Sequence, residues 1–208
     1  MKSIVKIIGE DYFLSALPKS YKKVEPLAVR GVLPTCRINC ELGIWQQLPS
    51  GLEHAGTFYL HQLLQDGPLV ISTYSPAWNE YGKEHLQALN KAYPQIRRSG
   101  ANLLLLSTEY FKNSVYTVQE FNIAYNVLQD HENRISEVLG VYSEYEPVWD
   151  SIAGITEDVP FPATFVIGTD RRVLYSFVSK DFEYLVPTKE IEKILAFVKK
   201  QSVDSLNF

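Results

Sequence analysis

The two cysteines are the residues most able to do chemistry, because a thiolate can attack a peroxide or a disulfide. Cys36 and Cys40 stand in the run Leu33-Pro34-Thr35-Cys36-Arg37-Ile38-Asn39-Cys40. In a helix they share one face; in a strand they also share a face, about 13 Å apart along it. A disulfide between them then requires a turn. Arg37 could lower a neighbouring thiol pKa. The competing reading is two small apolar core residues. Two cysteines cannot by themselves make a four-ligand zinc site, and His54, His61, His85 and His131 are scattered without metal-ligand spacing. There is no glycine-rich phosphate loop, so neither a metal nor a cofactor is expected.

A second group lies at Trp78-Asn79-Glu80-Tyr81-Gly82, between a predicted strand and a predicted helix. Free N–H groups at a helix start favour anions and lower the pKa of a thiol placed there. Asn79 sits at this helix start, and its amide reads as a helix cap. Trp78 and Tyr81 could form an aromatic floor for a ligand, or simply pack. Glu80 and His85 flank the helix start, where they could line a pocket, though solvated helix surface is the simpler reading; Lys83, Arg97 and Arg98 read as ordinary solvated charges.

The elements that must carry these residues follow from apolar spacing. Residues 69–74 (Leu-Val-Ile-Ser-Thr-Tyr) form a β-branched and aromatic run after the turn Asp66-Gly67-Pro68, and predict a buried strand. Leu86, Leu89, Tyr93 and Ile96 recur at helical spacing; Pro94 predicts a kink or the last turn, and Gly100 ends the connection. The leucines of 101–107 predict a central strand buried on both faces. Thr117 with Glu120 fits a capping box opening a helix to about Tyr125, and Val127-Leu128 a short strand. Asn133 predicts the cap of a helix over 134–139 that stops at Gly140. Residues 163–167 and 172–178 predict a β-hairpin. Pro187-Thr188 opens a last helix with Ile191, Ile194, Leu195 and Val198 on one face. The order β-α-β-α-β-α-β-β-α indicates an α/β fold with a central mixed sheet flanked by helices. Pro18, Pro26 and Pro34 break the first part of the chain into short pieces. It is divided as an N-terminal arm over 1–56 and a domain over 57–208.

The 208 residues carry a net charge of −4, with 46% hydrophobic and 21% charged. That is ordinary for a globular chain with a sizeable core. No basic run is long enough to track phosphates, so no nucleic acid is expected. The longest apolar run is too short to span a membrane, and no secretory signal is read at the N-terminus. A cytoplasmic protein is expected.

Several segments resemble one family in order and spacing. Gly67-Pro68-Leu69-Val70, followed by Tyr74 and Trp78, is similar to the strand leading into the active site of the alkyl hydroperoxide reductase / thiol-specific antioxidant (AhpC/TSA) peroxiredoxins. In a subgroup of these the next text reads approximately F-Y-R-G-G-W-C-P-Y-C-N-x-E-L. Here it reads Thr73-Tyr74-Ser75-Pro76-Ala77-Trp78-Asn79-Glu80-Tyr81-Gly82-Lys83-Glu84-His85-Leu86. Trp78, Tyr81 and Leu86 match; Asn79 stands at the attacking cysteine and Gly82 at its partner. Ser99-Gly100-Ala101-Asn102-Leu103, Tyr125-Asn126-Val127-Leu128-Gln129-Asp130, Val159-Pro160-Phe161-Pro162-Ala163-Thr164-Phe165-Val166-Ile167 and, loosely, Lys180-Asp181-Phe182-Glu183-Tyr184 continue the resemblance over about 57–198.

The resemblance implies a thioredoxin-like fold with an N-terminal extension, and a cis Pro162, with Ala163 and Thr164, facing the degenerate loop Trp78, Asn79, Tyr81, Gly82. It also allows a homodimer. Two functions stay open. In the first, thiol peroxidase activity is lost and the protein binds an unknown protein or small-molecule partner. In the second, it is an antioxidant peroxidase or thiol–disulfide oxidoreductase using Cys36 and Cys40, which must then lie near the degenerate loop and Pro162.

Overall fold

The computed structural model describes residues 23–52 and 56–204. Expectations that fall on 1–22, including the break at Pro18, lie outside the described residues. Among the described residues eight strands form: β1 (Arg37–Asn39), β2 (Gly43–Ile44), β3 (Thr57–Tyr59), β4 (Leu69–Tyr74), β5 (Asn102–Ser107), β6 (Asn126–Gln129), β7 (Ala163–Ile167) and β8 (Val173–Val178). The α-helices are α1 (Glu80–Arg98), α2 (Phe111–Glu120), α3 (Arg134–Val138) and α4 (Thr188–Asp204).

Six strands make the main sheet in the order β2-β6-β5-β4-β7-β8, while β1 and β3 pair separately. The centre is parallel, β4 with β5 and β5 with β6, and parallel neighbours require the crossovers that α1 and α2 supply. β7 runs antiparallel to β4, and β8 antiparallel to β7, which is the predicted hairpin. β2 closes the other edge against β6. The described part of the segment before 57 is therefore part of the same body: β2 extends the sheet, and Leu33, Cys36, Ile38 and Leu52 are buried in its core.

Alternation along the central strands divides the core into two layers, because successive side chains point to opposite faces. Val70, Tyr74, Leu103, Leu105, Val127 and Val166 face one layer, completed by Leu86, Leu89 and Ile96 of α1 and Ile191 and Leu195 of α4. Leu69, Ile71, Leu104, Leu106, Leu128, Phe165 and Ile167 face the other, covered by the 60–64 turn, α3 and the segment from Leu33 to Ile38. Each of these fully buried aliphatic side chains contributes about 1.5–3 kcal/mol relative to exposure, so the two-sided burial fixes the register of β4 and β5.

Two predicted boundaries need correction. Thr117 and Glu120 do not open a helix; they end α2, which starts at Phe111 behind Tyr110 and stops before Asn122 turns left-handed at φ 52°. The Thr117 hydroxyl donates to Glu109 instead. Asn133 does precede α3, but its backbone is left-handed and its side chain donates to the Asp158 carbonyl. The cap of α3 is the buried Asp130 carboxylate, which accepts from Ile135 N, Ser136 N and Ser136 Oγ at 2.7–2.9 Å.

Candidate functional site

The loop from Trp78 to Gly82 is built at the carboxyl end of β4, where an open α/β sheet offers a crevice to ligands. Ser75 Oγ accepts from Ala77 N and starts a short 3₁₀ turn over Pro76–Trp78. Trp78 drops into the core: its Nε1–H donates to the Pro160 carbonyl at 3.2 Å, and its ring meets Tyr74, Tyr81, His85 and Phe182 edge-on at 5.8–6.2 Å. Tyr81 packs on Phe182, and its hydroxyl donates to the Tyr184 carbonyl at 2.7 Å, with burial pushing its pKa up to about 12. The structure thus brings Trp78 and Tyr81 together as packing, with Trp78 buried to 2% exposure.

Asn79 occupies the start of α1, but its side chain caps nothing. It is held at φ 55°, ψ −129°, and its amide reaches only the Gly154 carbonyl, at 3.5 Å. The expectation that the amide caps the helix is therefore corrected: the reversed backbone turns it away from the N–H groups it would serve. Gly82 lies in the first turns of α1, against the loop itself. A Cβ there would stand 2.9 Å from the Ser75 carbonyl oxygen and 3.3 Å from the Tyr74 ring.

Behind the loop lies a polar cluster that sequence reading missed. His85 is buried rather than solvated, because it shares the inward spacing of Gly82, Leu86 and Leu89. Its Nε2 is 2.9 Å from Ser72 Oγ, which also lies 2.9 Å from Thr164 Oγ1 and 3.1 Å from the Ala163 carbonyl. Burial pushes the imidazole pKa down to about 4, against a smaller opposing effect of the Thr73 carbonyl. Glu80 is exposed as expected, paired with Lys83 at 2.6 Å.

Pro162 and its neighbours do adjoin this cluster. Ala163 N donates to Thr73 Oγ1, which donates to the Phe161 carbonyl, and the Pro162 carbonyl accepts from Ser179 N. The expectation of a cis Phe161–Pro162 bond is corrected: no cis peptide occurs among the described residues. Pro162 lies just before β7, where a missing N–H costs no ladder bond.

Cys36 and Cys40 flank β1, so the extended alternative holds and both point inward with Ile38. They join the layer with Leu69 and Ile71, on the face of the sheet opposite Trp78. Both are free thiols. Cys36 is buried, and its pKa is pushed up to about 11 by burial and by Asp130, with Arg171 opposing. Cys40 is partly buried.

A cleft of about 430 Å³ opens past the carboxyl ends of β4, β5 and β6, beside Pro76. Glu109, Tyr110 and Tyr116 line it from the β5–α2 segment, His131 from the end of β6, and Glu157 from the loop before β7. Its residues come from distant stretches with no shared motif, which is why spacing did not reveal it. No group of three His, Cys, Asp or Glu among the described residues is placed to hold a metal. No described helix is long and apolar enough to cross a membrane.

A mixed sheet with this strand order, an N-terminal strand added at one edge and a loop-to-helix turn at the end of β4 define a thioredoxin-like fold of the peroxiredoxin kind. The chain belongs to the AhpC/TSA family, whose model matches residues 46–176, more than half of its length. Solved structures share the fold at low identity. The reduced 2-Cys peroxiredoxin of Plasmodium vivax is 16% identical with a TM-score of 0.63, over 85% of this chain and 84% of that one. The peroxidoxin BcpB of Mycobacterium tuberculosis is 20% identical with a TM-score of 0.58, over 84% and 97%. AhpC of Mycobacterium tuberculosis is 11% identical with a TM-score of 0.61, over 85% and 96%. No curated protein matches the chain in sequence.

Proposed function

We propose that this AhpC/TSA-family protein has lost thiol peroxidase activity at the family's loop and acts by binding a small molecule or a protein partner. The supporting observation is the separation of thiols from loop. Asn79 and Gly82 carry no thiol, while Cys36 and Cys40 lie under the opposite face of the sheet. An amide cannot reduce a peroxide, and a buried thiol with a pKa pushed up to about 11 is almost wholly protonated at neutral pH. The two unpaired cysteines suit a reducing compartment, which supports a cytoplasmic location.

The alternative, an antioxidant peroxidase or thiol–disulfide oxidoreductase, draws on the partial exposure of Cys40. Hydrogen peroxide consumption by the pre-reduced protein with dithiothreitol separates the two, with the Cys36→Ser/Cys40→Ser double variant alongside. Background rates for both proteins are expected. Turnover by the wild type that vanishes in the double variant would sink the proposal and move the chemistry to the N-terminal thiols.

A further inference from the structure

We propose that the cleft beside Pro76 binds a small organic cation, an ammonium group carried on an aromatic or alkyl body. The inference rests on the ligand-binding half of the function proposed above, and not on the loss of peroxidase activity.

The cleft has the volume of a small-molecule site. Its charged lining is Glu109 and Glu157, and neither Lys nor Arg lines it. Glu109 is the informative one. Its oxygens accept only from hydroxyls, Thr117 Oγ1 at 2.8 Å and Ser107 Oγ at 3.2 Å, and no described cationic side chain pairs with it. A half-buried carboxylate held in that way keeps its lone pairs and its charge for an outside partner. Burial also raises its pKa, as expected of an unneutralised group.

His131 forms one wall of the cleft: its Nδ1 donates to the Thr108 carbonyl at 2.8 Å, because that oxygen can only accept. An ammonium offers three N–H donors to a carboxylate such as that of Glu109. The body of the ligand is set by the rings. Tyr110 lies on His131 at 3.8 Å between centroids, and Tyr110 and Tyr116 are 59% and 60% exposed. Aromatic faces beside carboxylates attract organic cations through the ring quadrupole. A metal ion is the poorer fit, since these donors do not converge into a ligating group.

The test is calorimetric titration of the full chain with 2-phenylethylammonium, 2-phenylethanol and 3-phenylpropionate. The ammonium is expected to bind about ten-fold tighter than the alcohol, and the carboxylate more weakly than either. Glu109→Gln keeps the shape and the hydroxyl partners, and is expected to cost the ammonium about ten-fold in affinity. Tyr116→Leu, on an exposed position that leaves the core intact, is expected to weaken it by about three-fold. Equal affinity for ammonium and alcohol, an unchanged Glu109→Gln titration, or no saturable binding of any probe overturns the inference. None of these outcomes bears on the peroxide assay, so the two proposals fail separately.

Discussion

Ser72 Oγ lies 2.9 Å from His85 Nε2, with both residues fully buried between β4 and α1. Such a pair resembles a nucleophile with its base, but both groups are sealed in the core, at 0% and 1% exposure, where no substrate reaches them. Ser72 Oγ also lies 3.1 Å from the Ala163 carbonyl and 2.9 Å from Thr164 Oγ1, so the cluster ties β4 to α1 and to β7.

That arrangement makes folding stability depend on pH. The buried imidazole has a pKa of about 4, below its ordinary value of 6.5. Between these values the unfolded chain binds the proton and the folded one does not, so stability falls as pH drops from 6.5 towards 4. The full effect is about 3 kcal/mol. Glu109 and Asp130, whose pKa values burial raises, push the other way in acid. The readout is therefore the difference between urea unfolding of wild type and His85→Gln from pH 7 to 4.5. The wild type is expected to lose more stability than the variant; parallel curves would remove the buried neutral imidazole as the cause.

Gly82→Ala is expected to destabilise, against the usual helix rule. Glycine to alanine inside a helix ordinarily gains about 1 kcal/mol. Here the new methyl would stand 2.9 Å from the Ser75 carbonyl, which already accepts from Trp78 N. Relieving that contact means moving the loop that carries Trp78, at a cost of about 1–3 kcal/mol. Thermal unfolding decides it, and a higher Tm would show that the loop yields freely. The same geometry opposes any larger side chain at this position, a cysteine included.

The parts of the fold legible in sequence were those where one physical signal dominated. β4, β5 and the β7–β8 hairpin are runs rich in aliphatic, aromatic and β-branched residues bounded by turn residues, and they form within a residue of the expected bounds. The start of α2 was hidden because Tyr110 is not a capping residue, while Thr117 and Glu120 imitate a cap that the fold does not use. His85 was misread because a polar type outweighed its inward spacing. The trans bond before Pro162 and the reversed backbone at Asn79 depend on tertiary contacts that no local pattern encodes. The turn between β4 and α1 was legible because Pro76 and the aromatic pair Trp78 and Tyr81 stand in one short stretch.

Thiol labelling should separate the two cysteines. With a pKa of about 11 in place of 9.0, Cys36 has about a hundred-fold less thiolate than an unperturbed thiol near neutral pH, and its burial limits access further. Cys40, partly exposed, is expected to react first with iodoacetamide in the native protein. In guanidinium both should label at similar rates. Fast native labelling of Cys36, located by peptide mapping, would contradict the buried thiol and reopen the oxidoreductase alternative.

Asn79→Gly tests what the Asn79 side chain does for the fold. The backbone there, φ 55° and ψ −129°, is costly for any residue with a Cβ, and readily reached by glycine. Asn79 makes no capping bond, and its single described contact is a 3.5 Å approach to the Gly154 carbonyl. Removing the side chain thus relieves strain of about 1 kcal/mol while losing little. A rise in Tm of about 2–4 °C is expected for a chain of this size. A fall would mean that the amide holds the 154 loop against α1, and that Asn79 is kept for that contact despite its backbone. The rise would leave a strained residue with no stabilising role beside Trp78 and Tyr81, and backbone strain of this kind clusters at functional sites.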